Sequence, residues 1–166
     1  MATITLPHFG PLDPTCLDEY YDTEIDFNGM QIQIDLNFGS KTIDPIKLEM
    51  VKDFIDNIRI HDINNKKYID NDYNNEDGET VKFYLKHHLE ELGENELVKL
   101  INPNSKSTEH EKQLKSKLHI VRVGIYPEDE DQFATFDYSI GEDITDQLIV
   151  IDTDKNGNLV YMTIES

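Results

Sequence analysis

The chain has 166 residues, is 37% hydrophobic and 30% charged, and sets 34 acidic residues against 15 basic ones for a formal net charge of −19. That composition is globular, and the length fits one domain, residues 1–166, with a single core. Charge of this sign argues against nucleic acid or an anionic membrane as partner, since both need lysine and arginine, and no apolar run reaches the roughly 20 residues that span a bilayer.

The first predicted element is a hairpin in "EIDFNGMQIQIDLNF". Asn28-Gly29 suits a type I′ turn, which needs positive φ at both central residues. A two-residue loop pairs Phe27 with Met30, Ile25 with Ile32 and Tyr21 with Leu36 on an apolar face. It sets Asp26 against Gln31, Glu24 against Gln33 and Asp22 against Asp35 on a polar, solvated one. Like charges directly opposite destabilise a strand pair, so the strands are expected to diverge at Asp22 and Asp35.

Helical spacing follows. Asp44 caps, Pro45 takes the first helical position, and Ile46, Met50, Val51, Phe54, Ile55 and Ile58 recur with helical period. The polar run "NNKKYIDNDYNNEDG" is expected to end or loosen this region. A second helix starts near Glu79, carries Val81, Tyr84, Leu85, His88, Leu89 and Leu92 on one face, and stops at Gly93. Leu97 to Ile101 predict a short third helix, ended by Asn102-Pro103. "NPNSKSTEH" reads as a loop, and Thr108 with Glu111 as a capping box for a last helix whose stripe is only Leu114 and Leu118.

From Leu118 the period becomes two. "LHIVRVGIY" places Val121, Val123 and Ile125 on one face, and "FATFDYSI" places Ala134, Phe136, Tyr138 and Ile140 together. With "QLIVIDT" and "NLVYMTIES" these segments predict a four-stranded antiparallel meander. The fold class expected is α+β: an N-terminal β-hairpin, central helices and a C-terminal meander, with the helices packed on the sheet.

Charge is distributed unevenly over these elements. Residues 1–40 contain seven acids and no lysine or arginine, residues 124–166 contain eleven acids and one base (Lys155), and the middle holds the remaining sixteen acids and fourteen bases. The β segments at the two ends therefore carry −17 of the −19.

Three stretches invite a chemical reading. "DTDKNG" opens like a calcium loop, with Asp152, Asp154, Asn156 and Gly157 in place, but Thr163 stands where a bidentate glutamate belongs and both flanks read as strands. A turn between strands accounts for more of its residues: it opposes Ile151 to Met162 and Ile149 to Ile164, across a two-residue Asn156-Gly157 turn or a four-residue loop from Asp154 to Gly157. "PEDEDQ" carries Glu128, Asp129, Glu130 and Asp131 in a row. Four adjacent acids cannot all converge on one ion, so contact with a basic partner is the better functional reading, against that of a solvated loop. Adjacent His87 and His88 point about 100° apart on a helix and do not chelate one metal; His88, on the apolar face, reads as a core residue. Cys16 is the only cysteine, which excludes an internal disulfide and CxxC chemistry. No nucleophile elbow, phosphate loop or dinucleotide fingerprint occurs, so neither catalytic nor cofactor nor metal residues are nominated.

Read together, "LPHFGPLD", "EIDFNGMQIQIDLNF", "HHLEEL", "VRVGIYPEDEDQFATFDYSIG" and "DQLIVIDTDKNGNLVYMTIES" resemble a bacterial family, the one numbered two thousand and four among domains of unknown function. The resemblance covers nearly the whole chain, most closely in the last fifty residues and most loosely between about 59 and 78. It implies continuity of fold and a bacterial setting, and no catalytic residues. "MATITLPHFG" lacks the basic start and apolar stretch of a secretory leader, so the cytoplasm is the expected compartment. The expectation for function is a non-catalytic acidic protein of immunity or regulatory type. It binds a basic protein through Glu24, Asp26, Glu128, Asp129, Glu130 and Asp131. The rival is a hydrolase-like enzyme with a carboxylate-built metal site.

Overall fold

Asn28 and Gly29 adopt φ of 52° and 83°, the conformation their dipeptide favours. In a computed structural model describing residues 2–166, this turn joins β3 (Tyr20–Phe27) to β4 (Met30–Asn37). The register holds at every pair expected, from Phe27–Met30 to Tyr21–Leu36. Ahead of it lies a small hairpin that the sequence reading missed, β1 (Ile4–Leu6) with β2 (Gly10–Leu12), packed beside the first helix with Leu6 and Leu12 in the core.

The helices form one long excursion between β4 and the rest of the sheet. Helix α1 (Pro45–Asp56) starts as predicted, with the Asp44 carboxylate accepting from the Ile46 N–H and Pro45 at the first position. Its core stripe is Leu48, Val51, Phe54 and Ile55, leaving Ile46 exposed. After a break at Asn57, α2 runs from Ile58 to Asn74, straight through the polar run expected to end it. The buried stripe of α2 is Ile58, His61, Asp62, Asn65 and Ile69. Three of those five are polar, and that hid the helical period. Asp62 is tolerated there because its Oδ1 accepts a hydrogen bond from the Tyr138 hydroxyl at 2.7 Å.

Helix α3 (Thr80–Glu91) buries Val81, Tyr84, Leu85 and His88. His88 is a core residue, its ring nitrogens 2.7 Å from the Tyr84 carbonyl and 2.9 Å from Thr145 Oγ1. Short α4 (Glu94–Leu97) precedes α5 (Ser107–Lys115), which begins after Lys106 with no side-chain cap, so the predicted capping box does not form.

The chain then returns as β5 (His119–Ile125), β6 (Ala134–Ser139), β7 (Leu148–Thr153) and β8 (Leu159–Glu165). These four pair antiparallel in sequence order, but β5 also pairs parallel with β4. Hairpin and meander are therefore one mixed six-stranded sheet, β3-β4-β5-β6-β7-β8, rather than two separate β units. A parallel neighbour requires a long crossover, and the helices supply it. A register shift between Ile120 and Arg122 makes Val121 the odd residue, so Ile120 rather than Val121 joins Val123 and Ile125 in the core.

Helices α1, α2 and α3 pack on one face of the sheet, and α5 packs on α3. Ile32, Ile34, Leu36, Phe136, Tyr138, Ile149 and Ile151 point into them, and Phe54 of α1 packs its ring, tilted, against Phe133 and Phe136. No helix among the described residues lies over the other face. Among the described residues no helix is long and apolar enough to cross a membrane.

Candidate protein-binding face

The uncovered face is built by the strand period: whatever alternates away from the core stands on it. That brings together Asp22, Glu24 and Asp26 of β3, Asp35 of β4, Asp137 of β6, Asp152 of β7 and Glu165 of β8. Against these seven acids stands one base, Arg122, among the described residues the only lysine or arginine in a strand.

Arg122 is consumed within the fold. Its Nε donates to Asp35 Oδ2 at 2.7 Å and its Nη2 to Asp35 Oδ1 at 2.9 Å, a bidentate pair. Its Nη1 lies 3.5 Å from Asp137 Oδ2, and Nη2 also reaches the Tyr126 hydroxyl at 3.3 Å. Asp35 is 0% exposed although no layer covers this face, because the guanidinium lies over it. Asn37 Nδ2 adds a hydrogen bond to Asp35 Oδ1 at 2.7 Å.

This answers the like-charge pair in the hairpin. Asp22 and Asp35 sit directly opposite each other, and the strands do not diverge. Arg122 supplies the compensating charge from across the parallel β4–β5 junction, where it is level with Gln33.

The clamp needs room, and Gly124 provides it. A Cβ at Gly124 would stand 2.7 Å from Arg122 Nη2, closer than side-chain carbons approach, and a tight 3.2 Å from Asp35 Oδ1. The glycine two residues on thus lets the arginine lie along its own strand.

Burial sets the ionisation of this cluster. Burial raises the Asp137 carboxyl above the usual range, and the charge of Arg122 offsets part of the rise. For Arg122, burial alone would lower the guanidinium, but the hydrogen bonds of Asp35 and Tyr126 and the charges of Asp35 and Asp137 hold it firmly protonated. Beside the pair is a hollow of about 370 Å³, walled by Asp129, Asp137, Asp152, Glu165, Tyr126 and Val150 among others. Asp152 holds its place by accepting from Thr135 Oγ1 at 2.8 Å.

The six acids nominated from sequence separate into two groups. Glu24 and Asp26 do stand on the open face, at its β3 edge, with Asp26 Oδ1 also accepting from the Gly29 N–H at 3.0 Å. Glu128 is spent on structure: its Oε1 accepts from the Gly39 and Ser40 N–H groups at 2.8 and 3.3 Å and ties the β5–β6 loop to the end of β4. Asp129 walls the hollow while its Oδ1 accepts from the Asp131 and Gln132 N–H groups. Glu130 and Asp131 are exposed on the loop. Asp22, Asp35, Asp137, Asp152, Glu165 and Arg122 were not nominated. The signal for Arg122 was present, since an opposed aspartate pair asks for a base and the strands contain one.

"DTDKNG" resolves as a turn. Asp154 Oδ1 accepts from the Asn156 and Asn158 N–H groups, both at 2.9 Å, and its Oδ2 from Asn158 Nδ2 at 3.1 Å. The expected pairs Ile151–Met162 and Ile149–Ile164 form. The connection is longer than either loop length considered, since Thr153 pairs with Leu159 and a register shift between Asp152 and Thr153 takes up the extra residue. Among the described residues no three His, Cys, Asp or Glu side chains gather into a group able to hold a metal. The chain matches no protein-family model, no curated protein and no solved structure.

Proposed function

We propose that the open face of the sheet binds a basic protein, and that the chain acts as a non-catalytic partner of immunity or regulatory type in the bacterial cytoplasm. The observation that carries this reading is the bookkeeping of charge on one surface: seven acids share it with one arginine, and that arginine is already paired. Solubility alone is served by acids and bases interspersed, as in the helical middle of the chain. A face of one sign accelerates encounter with a basic surface and discriminates against other partners. The hollow beside Asp137, Asp152 and Glu165 suits a lysine or arginine side chain of that partner. The family resemblance contributes the bacterial setting and no residue role.

The test is capture from a bacterial lysate with the native chain and with an Asp22→Asn, Glu24→Gln, Asp26→Asn chain as baits, washed at low and high salt. The native bait should retain a basic protein that high salt releases, because exposed charges are screened beyond about 8 Å at physiological ionic strength. A partner retained equally by both baits, or indifferent to salt, contradicts the proposal. A metal-dependent enzyme would instead gain about 2.7 kcal/mol of thermal stability at 100-fold excess of its ion over Kd, so a screen of Ca²⁺, Mg²⁺, Mn²⁺ and Zn²⁺ separates the two.

A further inference from the structure

The two edges of the sheet are finished differently. At one end β3 displays Asp22, Glu24 and Asp26 along its eight residues, the charged blunting that keeps an edge from pairing. At the other end β8 has one charge in seven residues, Glu165, and neither lysine nor proline. It begins with a register shift, but from Tyr161 to Glu165 it pairs regularly with β7 and has no strand on its far side. Val160 and Tyr161 are 46% and 58% exposed, and the helices leave Met162 and Ile164 only half-buried.

We propose that β8 accepts an extended segment of the basic partner as a seventh strand, and that this segment alternates basic with apolar residues. The inference rests on the acidic-face reading and adds to it the conformation and sequence pattern of what binds. Side chains of an added strand alternate between the two faces. On the open side they lie beside Tyr161, Thr163 and Glu165, with Asp152 one strand further in, where lysine or arginine is favoured. On the helix side they lie beside Met162 and Ile164, where an apolar side chain completes a cover that the helices leave unfinished. Main-chain hydrogen bonds supply affinity, and the alternation supplies specificity. A second copy of this chain is the poorer occupant. Two β8 strands paired antiparallel about a two-fold axis would place both acidic faces side by side and bring their like charges together.

The test uses three seven-residue peptides on the intact chain: alternating Lys-Val-Lys-Val-Lys-Val-Lys, its isomer with four lysines followed by three valines, and seven lysines. The alternating peptide should bind about tenfold more tightly than its isomer, a difference of about 1.4 kcal/mol. It should also slow amide exchange in residues 161–165 but not in β3. Thr163→Lys, which puts a like charge on the edge, should abolish that preference while leaving the exchange pattern of the free chain intact. Equal, salt-sensitive binding of both isomers with no new protection in β8 overturns the strand and leaves the acidic face standing. Binding of seven lysines alone has the same meaning. Failure of all three peptides, seven lysines included, overturns both readings. Sedimentation of the free chain as a dimer that Thr163→Lys disperses would assign the edge to a second copy instead.

Discussion

The two faces of the sheet bury carboxylates by different means, and the difference explains where function can reside. On the helix side, Asp62 is enclosed by packing and answered by the hydroxyl of Tyr138, whose own ionisation burial pushes far out of reach, and by half-exposed Lys66 of its own helix, 3.5 Å from Oδ2. On the open side, Asp35 is enclosed by a single guanidinium and answered by full charge. The covered face thus divides the task between a buried hydroxyl and a lysine at its rim, whereas the open face relies on one arginine. The other acids of that face, Asp22, Glu24, Asp26, Asp152 and Glu165, are left without a basic counterpart on the strands, which is the surplus a partner can meet.

The comparison breaks most visibly through packing. Phe136→Ala removes a fully buried ring packed against Phe54 and should cost about 3–5 kcal/mol. On the opposite face Tyr161→Ala, at an exposed site, should stay within about 0.5 kcal/mol. Chemical denaturation of the two variants measures both, and a large loss at Tyr161 would show that the open face has structural duties of its own.

The next test removes the clamp. Arg122→Met leaves Asp35 buried without its partner and should cost about 3 kcal/mol, the low end for a broken buried pair, because the arginine side chain itself is still 30% exposed. Adding Asp35→Asn should recover most of that loss, since the uncompensated charge disappears and the amide can still meet Asn37. Gly124→Val should act in the same direction by about 1–3 kcal/mol, through crowding of Arg122. If Arg122→Met is silent, the burial of Asp35 has another cause.

A smaller effect appears with pH. Burial lowers the His61 and His88 imidazoles below their ordinary range. Their unfolded forms bind protons more readily, so their contribution is complete above about pH 6.5 and is lost as pH falls below it. Asp137 works in the opposite sense in a lower window. Its folded carboxyl is raised, so its contribution is complete below the ordinary carboxylate value and lost as pH rises through the folded one. Thermal melts between pH 5 and pH 7 should show Tm falling with acid, and His61→Phe, which keeps a ring against Phe54, should flatten that slope. An unchanged slope would assign it to His88 and the surface.

Much of the β architecture was legible because two residues fix it locally. Asn28-Gly29 sets the turn, and the period of two then sets every pair of the first hairpin. The β7–β8 faces followed from the same logic, although the five residues from Asp154 to Asn158 and their bulge did not. The union of hairpin and meander was not legible, since the pairing of β4 with β5 spans the whole helical excursion and leaves no local trace. Helix α2 was hidden by Asp62, Asn65 and His61, polar residues that stand on its buried stripe. The acidic face was half legible: Glu24 and Asp26 follow from the hairpin, whereas Asp137, Asp152 and Glu165 join them only once the sheet is one.

The central claim is that the position of the negative charge matters and not its amount. The most direct measurement titrates seven-lysine peptide at low and physiological salt against two variants of equal net charge. One carries Asp22→Asn, Glu24→Gln and Asp26→Asn on the open face; the other carries Glu90→Gln, Glu94→Gln and Glu96→Gln on the helical layer. The face variant should lose about tenfold in low-salt affinity and much of its salt dependence, with the helical variant close to the native chain. Equal losses in the two variants would contradict the account and reduce the charge of this protein to a property of the whole molecule.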